Sequence, residues 1–232
     1  AYAHSKGIIH RDLKPANIMI GEFGEVMVMD WGIAKILNQP EKKITTSNHD
    51  NSASGTQYGT VMGTPSFMAP EQAEGRLEEI NEKTDIYSLG AILYNILTLH
   101  PPIKGSSTDP EVMEKIKSGN ITPPSVYNNQ STNTTVLLHC PDLQVPEPLS
   151  AVAMQALSRE SSERYPDVHS LQRDVAAFTA GYAPKAEKAG LLRQLQLSVR
   201  RHSALFTACS VIFLLTIAFA GHAYWSGQEQ GK

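Results

Sequence analysis

The chain has 232 residues, of which 41% are hydrophobic and 19% are charged, and its formal net charge is -3. This is a globular composition with length for one large or two small domains, and the lack of a basic excess argues against a nucleic-acid partner. The 2 cysteines, Cys140 and Cys209, are too few for a disulfide framework or a four-ligand zinc site. We therefore expect a cytosol-facing compartment that keeps thiols reduced.

The first residues have the pattern of a helix end. They read AYAHSKG, in which Gly7 closes the helix, and they carry neither an initiator Met nor a signal-peptide layout. We interpret this N-terminus as a cut within a longer protein.

Residues 8–32 alternate short apolar runs with turns. Apolar runs at 8–9, 18–20 and 26–29 are separated by polar residues and by the turn GEFGE. The pattern predicts two short strands joined by a hairpin, with polar residues held at the strand ends. The methionines that alternate on these strands are interpreted as packing residues; they are Met19, Met27 and Met29.

Four polar residues at the strand ends have the chemistry that phosphoryl transfer requires. Transfer from a nucleotide needs Mg²⁺ on hard oxygen ligands, a carboxylate that orients and deprotonates the attacking hydroxyl, and a cation on the transferred phosphate. Asp12, Lys14, Asn17 and Asp30 supply these groups. The hairpin would gather them into one cleft.

A long polar loop and a mainly helical part follow the hairpin. Residues 37–60 are rich in Ser, Thr, Asn and Gly without an apolar period, which predicts a mobile loop. Apolar residues recur at helical spacing from Ile86 to Leu97, and because this helix is apolar around most of its surface, it should be buried. Further helices are predicted at 110–118, 147–158 and 167–180, with an irregular insertion at 119–146.

The C-terminal part has the composition of a membrane span. Residues 203–225 contain no Asp, Glu, Lys or Arg and are long enough to cross a hydrocarbon core of about 30 Å as a helix. Residues 182–202 before it are basic, so the positive-inside rule places the globular body in the cytoplasm and the C-terminal stub outside. A buried helix of a soluble protein is the alternative. The basic segment itself either lies on anionic lipid or is a linker between body and bilayer.

The order of the motifs resembles the C-terminal lobe of eukaryotic-type (Hanks-type) Ser/Thr protein kinases, most closely the bacterial membrane-anchored members. HRDLKPAN at 10–17 is similar to the catalytic loop of the family. DWG at 30–32 is similar to DFG with Trp in place of Phe, and APE at 69–71 matches the APE motif. The resemblance covers residues 1–181.

The resemblance implies a role for each of the polar residues at the hairpin. It implies that Asp12 is the catalytic base, that Lys14 neutralises the γ-phosphate, and that Asn17 and Asp30 hold Mg²⁺, with ATP as the cosubstrate. Lys14, two residues after Asp12, is the form typical of Ser/Thr rather than Tyr kinases. Thr64 points the same way, because in the family it shapes the floor where the acceptor hydroxyl docks.

Three further residues match structural positions of the family. Asp85 resembles the Asp that starts the buried central helix and braces the catalytic loop, and Arg164 resembles the Arg that pairs with the APE glutamate, here Glu71.

Arg11 precedes the catalytic Asp, as in kinases whose activation loop is ordered by a phosphate that pairs with that Arg. The candidate phosphate acceptors in the loop are Ser52, Ser54, Thr56 and Thr60. A merely solvated loop is the alternative. The resemblance also allows a homodimer in which one copy phosphorylates the loop of the other.

These patterns together predict an α+β fold: a protein-kinase-like C-lobe, mainly helical with a short catalytic hairpin, followed by a single transmembrane helix. We assign residues 1–181 to a kinase domain truncated at its N-terminus, 182–202 to a basic juxtamembrane linker, 203–225 to the span and 226–232 to an extracytoplasmic stub.

The function implied is a membrane-anchored Ser/Thr protein kinase that transfers the γ-phosphate of ATP to protein Ser/Thr hydroxyls. The chain contains no Gly-rich loop, no strand Lys of the VAIK type and no partner Glu, so we expect weak or no ATP binding and no useful catalysis by these 232 residues alone. A pseudokinase or truncated lobe that binds protein partners is the alternative, and a small-molecule phosphotransferase ranks below both.

Overall fold

The computed structural model describes residues 1–37, 65–105, 110–128 and 136–229, without the side chains of 221–229. Within these ranges the α-helices are α1 (Tyr2–Ser5), α2 (Pro70–Ala73), α3 (Glu82–Thr98), α4 (Pro110–Ser118), α5 (Glu147–Ala156), α6 (Val168–Thr179), α7 (Leu191–Arg201) and α8 (Ser203–Glu229). The strands are β1 (Ile8–Ile9), β2 (Ile18–Ile20), β3 (Val26–Val28) and β4 (Lys35–Ile36). The expected α+β class, mainly helical with a short hairpin, is confirmed.

The strands form two antiparallel pairs in the described part of the chain. β2 and β3 are the predicted hairpin, and β1 pairs with β4, which was not predicted. A strand of two residues is too short to show an alternating pattern, so only its partner could reveal it.

The exposure of the methionines on the hairpin differs from the prediction. Met19, Met27 and Met29 are 49%, 51% and 45% exposed, so they do not pack into a core within the described residues. Both faces of this two-stranded hairpin are in contact with solvent. Alternation of residues along a strand does not show whether another layer of structure packs on either face.

Helix α3 is the central element of the helical part, as its apolar sequence predicts. Asn81 caps its N-terminus, accepting a 2.9 Å hydrogen bond from the Lys83 N–H, and Leu99 ends it in the left-handed region at φ 60. Gly90 is where α3 meets α5 most closely, since a Cβ there would lie 2.6 Å from the Cβ of Ala156. One predicted face residue, Ile96, is 56% exposed, so the apolar surface is not buried all round.

Two adjoining cores hold the helices together. The larger surrounds the tyrosines of α3, Tyr87 and Tyr94, with Ile116 of α4 and Val145 before α5. The smaller joins Ile86 of α3 to Val152 of α5 and Leu171 of α6. Because α3 contributes to both, it fixes the frame against which the hairpin and its flanking loops are placed.

Candidate functional site

The register of the hairpin brings its functional residues to one end. Ile18 lies opposite Val28, and the Met29 N–H donates a 2.8 Å hydrogen bond to the Asn17 carbonyl just beyond this pair. Asn17 immediately precedes β2, and Asp30 lies two residues after the last residue of β3. The antiparallel pairing therefore places Asn17 and Asp30 at the same end of the hairpin.

Asp12, Lys14 and Asn17 form a compact polar cluster beside this end. Lys14 Nζ lies 2.6 Å from Asp12 Oδ2. The Asn17 amide nitrogen donates to the Asp12 carbonyl at 2.9 Å and to Asp12 Oδ2 at 3.3 Å. The Asp12 side chain is only 13% exposed, so a cation and an amide fix a sheltered carboxylate.

His10 and Trp31 hold the segment that leads into Asp30. His10 Nε2 makes a 2.9 Å hydrogen bond with the Met29 carbonyl, and the Trp31 indole N–H donates to the Val28 carbonyl at 3.0 Å. The two rings pack with centroids 4.7 Å apart. Asp30 itself is exposed, with φ 58 in the left-handed region. Trp31 therefore packs beside His10. The left-handed conformation of Asp30 turns the chain away from the direction of β3.

Asp85 at the start of α3 braces the loop that carries Asp12. Its two carboxylate oxygens accept 2.9 Å hydrogen bonds from the backbone N–H groups of His10 and Arg11. Its Oδ2 also lies 2.8 Å from His4 Nε2. Arg11 has φ 68, a conformation that costs a non-glycine residue about 1–2 kcal/mol. Asp85 therefore stabilises an otherwise unfavourable backbone directly before Asp12.

We expect Asp85→Asn to lower the free energy of unfolding by about 1–3 kcal/mol, because an amide NH₂ would face one of the two buried donors and leave it unpaired. Urea unfolding of the chain in detergent micelles measures this loss. Glu78→Gln on the exposed surface is the matched control and should change stability little. An unfolding free energy of Asp85→Asn equal to that of the control would contradict the bracing role.

Glu71 and Arg164 form a buried ion pair behind the site. Two Arg164 nitrogens donate to the two Glu71 oxygens at 2.8 Å each, and the Thr84 hydroxyl donates to Glu71 Oε1 at 2.8 Å. Burial alone would raise the pKa of Glu71, but the hydrogen bonds and charge of Arg164 outweigh it, so that pKa lies below its ordinary value of 4.5. The pair anchors α2 on the helical core.

The lowered pKa of Glu71 predicts a loss of stability in acid. A carboxyl whose pKa is lower in the folded than in the unfolded protein stabilises the fold above the unfolded value, here 4.5, and this contribution disappears as pH falls through the folded value. We expect the unfolding free energy to decrease below pH 4.5 more steeply than in Glu71→Gln. Urea titrations of both proteins at pH values above and below 4.5 measure this decrease. Parallel profiles of unfolding free energy against pH would contradict the prediction.

Arg11 links the two flanks of the long loop. Its Nε donates to the Ile33 carbonyl, and its own carbonyl accepts a 2.8 Å hydrogen bond from the Gln72 amide. The side-chain oxygen of Gln72 accepts a 3.1 Å hydrogen bond from the Ala69 N–H. Sequence reasoning missed Gln72, whose only signal was its place directly after the APE motif. The loop residues predicted as functional lie outside the described residues: Ser52, Ser54, Thr56, Thr60 and Thr64.

The oxygen ligands at this end of the hairpin are suited to a nucleotide that carries Mg²⁺. The Asn17 amide oxygen and the Asp30 carboxylate are hard ligands, and Mg²⁺ takes one or two carboxylates together with phosphate and water oxygens. Among the described residues no group of three His, Cys, Asp or Glu side chains is placed to hold a metal by itself. Asn17 and Asp30 would leave the other positions around Mg²⁺ to phosphate and water oxygens.

A polar loop braced by a buried helix, a hairpin that carries Asn and Asp, and a buried Glu–Arg pair define a protein kinase lobe. Residues 1–173 match the sequence profile of the protein kinase domain, and the chain belongs to that family.

Similar proteins include bacterial kinases. The Serine/threonine-protein kinase PknD of Protochlamydia amoebophila is 39% identical over 185 residues, which cover 78% of this chain and 17% of that protein. The Serine/threonine-protein kinase PknB of Mycolicibacterium smegmatis is 36% identical over 187 residues, or 81% of this chain and 25% of that protein. PknB of Mycobacterium tuberculosis is 33% identical over the same length. The chain thus spans a quarter or less of these relatives.

Proposed function

We propose that the full-length protein is a Ser/Thr protein kinase that transfers the γ-phosphate of ATP to protein hydroxyls. The observation that carries this proposal is the cluster of Asp12, Lys14 and Asn17 at the hairpin end that also bears Asp30. The relatives named as Ser/Thr kinases support the reaction class.

Each residue of the cluster has a distinct task in this proposal. The Asp12 carboxylate orients the acceptor hydroxyl and accepts its proton, while the positive charge of Lys14 stabilises the negative charge on the transferred phosphate. Asn17 and Asp30 would hold Mg²⁺, which neutralises phosphate charge when it is bound. The short contact between Lys14 and Asp12 keeps both groups at the same place before the substrate arrives.

The test is transfer of labelled phosphate from ATP with Mg²⁺ to a generic protein substrate by the full-length gene product. We expect label on serine and threonine after acid hydrolysis, and none when Mg²⁺ is chelated. A folded protein that transfers nothing would favour the alternative, a lobe that binds protein partners without catalysis. Label on tyrosine would contradict the assignment based on Lys14 and Thr64.

We also propose that α8 crosses a membrane, with the kinase lobe in the cytoplasm and the C-terminus outside. Within the described ranges one helix, at Ser203–Ala220, is long and apolar enough to span a bilayer. The basic residues that precede it support this orientation; they are Lys185, Lys188, Arg193, Arg200 and Arg201. Protease added outside intact cells should remove a C-terminal tag and spare the lobe, and the reverse result would invert the topology.

Phosphorylation of the long loop is the proposed regulation. Arg11 lies between the flanks of that loop, and its guanidinium already bonds to one of them at Ile33. A phosphate on Ser52, Ser54, Thr56 or Thr60 would offer Arg11 a dianionic partner. A second copy of the full-length protein would transfer this phosphate from ATP in trans and release ADP. Phosphosite mapping of protein produced with Asp12 intact and as Asp12→Asn identifies which acceptors depend on the protein's own activity.

A further inference from the structure

The segment after the kinase lobe is attached to the lobe by buried contacts. Asp174 of α6 is 3% exposed, and it accepts hydrogen bonds from the backbone N–H groups of Lys185 at 3.0 Å and Ala186 at 2.9 Å. The Tyr165 hydroxyl donates to the same carboxylate at 2.8 Å. The turn Lys185–Glu187 is therefore fixed on α6, and the chain that enters α7 starts from a defined place.

One face of α7 continues this attachment. Arg193, Leu197 and Arg201 follow one another at four-residue spacing and so lie on one side of the helix. Arg193 Nε donates to Glu187 Oε1 at 2.9 Å, and an Arg201 nitrogen donates to the Gly181 carbonyl at 2.8 Å. The Arg201 guanidinium also stacks 3.8 Å from the centre of the Tyr182 ring. This side, the inner face, binds α7 to residues 181–187, the segment that Asp174 fixes on the lobe.

The opposite side of α7 is apolar and open. Leu191, Leu192, Leu195 and Val199 share this outer face at helical spacing, and they are 85%, 84%, 56% and 38% exposed. In an amphipathic helix that packs on its own domain the apolar face points to the core. Here Arg193 and Arg201 contact residues 181–187 and the outer-face leucines point away from that segment, so the apolar face is suited to a partner outside the lobe.

The position of α7 in the chain indicates that partner. Only His202 separates α7 from the candidate span α8, and its φ of -114 and ψ of 35 interrupt the helical geometry between them. The outer face therefore lies within a few residues of the point where the chain would enter the bilayer. Lys185, Lys188 and Arg200 add positive charge around it, against the single acid Glu187 of residues 182–202.

We propose that α7 lies in the membrane interface, with its outer face among the acyl chains and its basic residues on anionic phospholipid headgroups. This proposal rests on the proposed span of α8. Because the inner face is bonded to residues 181–187, which are fixed on the lobe, α7 holds the kinase lobe in a fixed orientation relative to the bilayer. The partner is a lipid surface, recognised by an apolar stripe and flanking cations.

Nitroxide accessibility in nanodiscs that hold one full chain each tests this placement. Cys140 and Cys209 are first replaced by serine, and single labels are placed at Leu192→Cys and Leu195→Cys. The matched control is Gln194→Cys on the flank of the same helix. We expect the outer-face labels to be accessible to oxygen but protected from a water-soluble nickel chelate, and the control label to show the reverse. Nickel access at all three positions overturns the proposal.

Further measurements distinguish the span of α8, the lipid contact of α7 and a contact with a second copy of the chain. A label at Leu214→Cys reports on α8 alone. If this label is protected from nickel while the outer face of α7 is not, α8 spans the bilayer but α7 does not lie in the interface. If the Leu214→Cys label is also accessible to nickel, both proposals fail. Protection of the outer face that occurs only in discs with two chains assigns it to a second copy and overturns the lipid partner. In discs of purely zwitterionic lipid we expect weaker protection; unchanged protection overturns the role of anionic headgroups.

Discussion

Asp12→Asn should reduce phosphoryl transfer by the full-length protein by about 10²–10⁴-fold, the usual contribution of a positioned general base. The amide has nearly the same shape as the carboxylate, so the hydrogen bonds from Asn17 to this residue can persist, but it cannot accept the proton of the attacking hydroxyl. The loss should appear in kcat, measured with labelled ATP at saturating protein substrate, rather than in the KM for ATP.

The matched control for Asp12→Asn is Asp142→Asn. Asp142 is exposed in the Pro141–Leu143 segment and has φ 54, which asparagine also tolerates. We expect full activity and unchanged thermal unfolding from this control, and a cooperative unfolding transition from Asp12→Asn, which loses the ion pair with Lys14 but keeps its fold. Transfer that survives in Asp12→Asn would show that another group accepts the proton, and the role proposed for the cluster would fail.

The largest loss of stability is expected from Arg164→Ala. Its side chain is fully buried, and the change leaves the Glu71 carboxylate without its cation. It also removes the hydrogen bonds that Arg164 donates to the carbonyls of Ser158, Lys83 and Arg159. Breaking one side of a buried ion pair costs about 3–5 kcal/mol. Urea unfolding of the chain in detergent micelles, followed by far-UV circular dichroism, measures the decrease.

Arg159→Ala is the matched control for this measurement. Arg159 is 47% exposed and lies 3.4 Å from Glu74, and such surface pairs contribute about 0–1 kcal/mol. Replacing Glu71 and Arg164 together by methionine should recover part of the loss, because no buried charge then remains unpaired. Equal losses in Arg164→Ala and Arg159→Ala would contradict the importance of the buried pair.

The sequence predicted the elements whose signal is local. Helix α3 is long and apolar, and the structure has it at Glu82–Thr98, four residues before its apolar run begins at Ile86, because Asn81 and Thr84 form a polar cap. The hairpin was predicted from two apolar runs and a turn. The polar cluster at the hairpin followed from residue types, since phosphoryl transfer requires a carboxylate, a cation and hard oxygen ligands together.

The sequence could not show contacts that depend on distant residues. Strand β4 has two residues and is defined only by its pairing with β1. Gln72 reaches Arg11 across 61 positions of the chain. Residues 182–202 left two interpretations open because their composition suits both a linker and a lipid-bound helix. The contacts that join this segment to the lobe, from Lys185 to Asp174 and from Arg201 to Gly181, have no local pattern.

Both flanks of the long loop are bonded to one residue, Arg11, through its side chain at Ile33 and its carbonyl at Gln72. The separation of these flanks is therefore set by the lobe and is independent of the length of chain between them. An insertion within residues 38–64 should therefore leave the distance between Ile33 and Gln72 unchanged, and with it the position of Arg11 directly before Asp12.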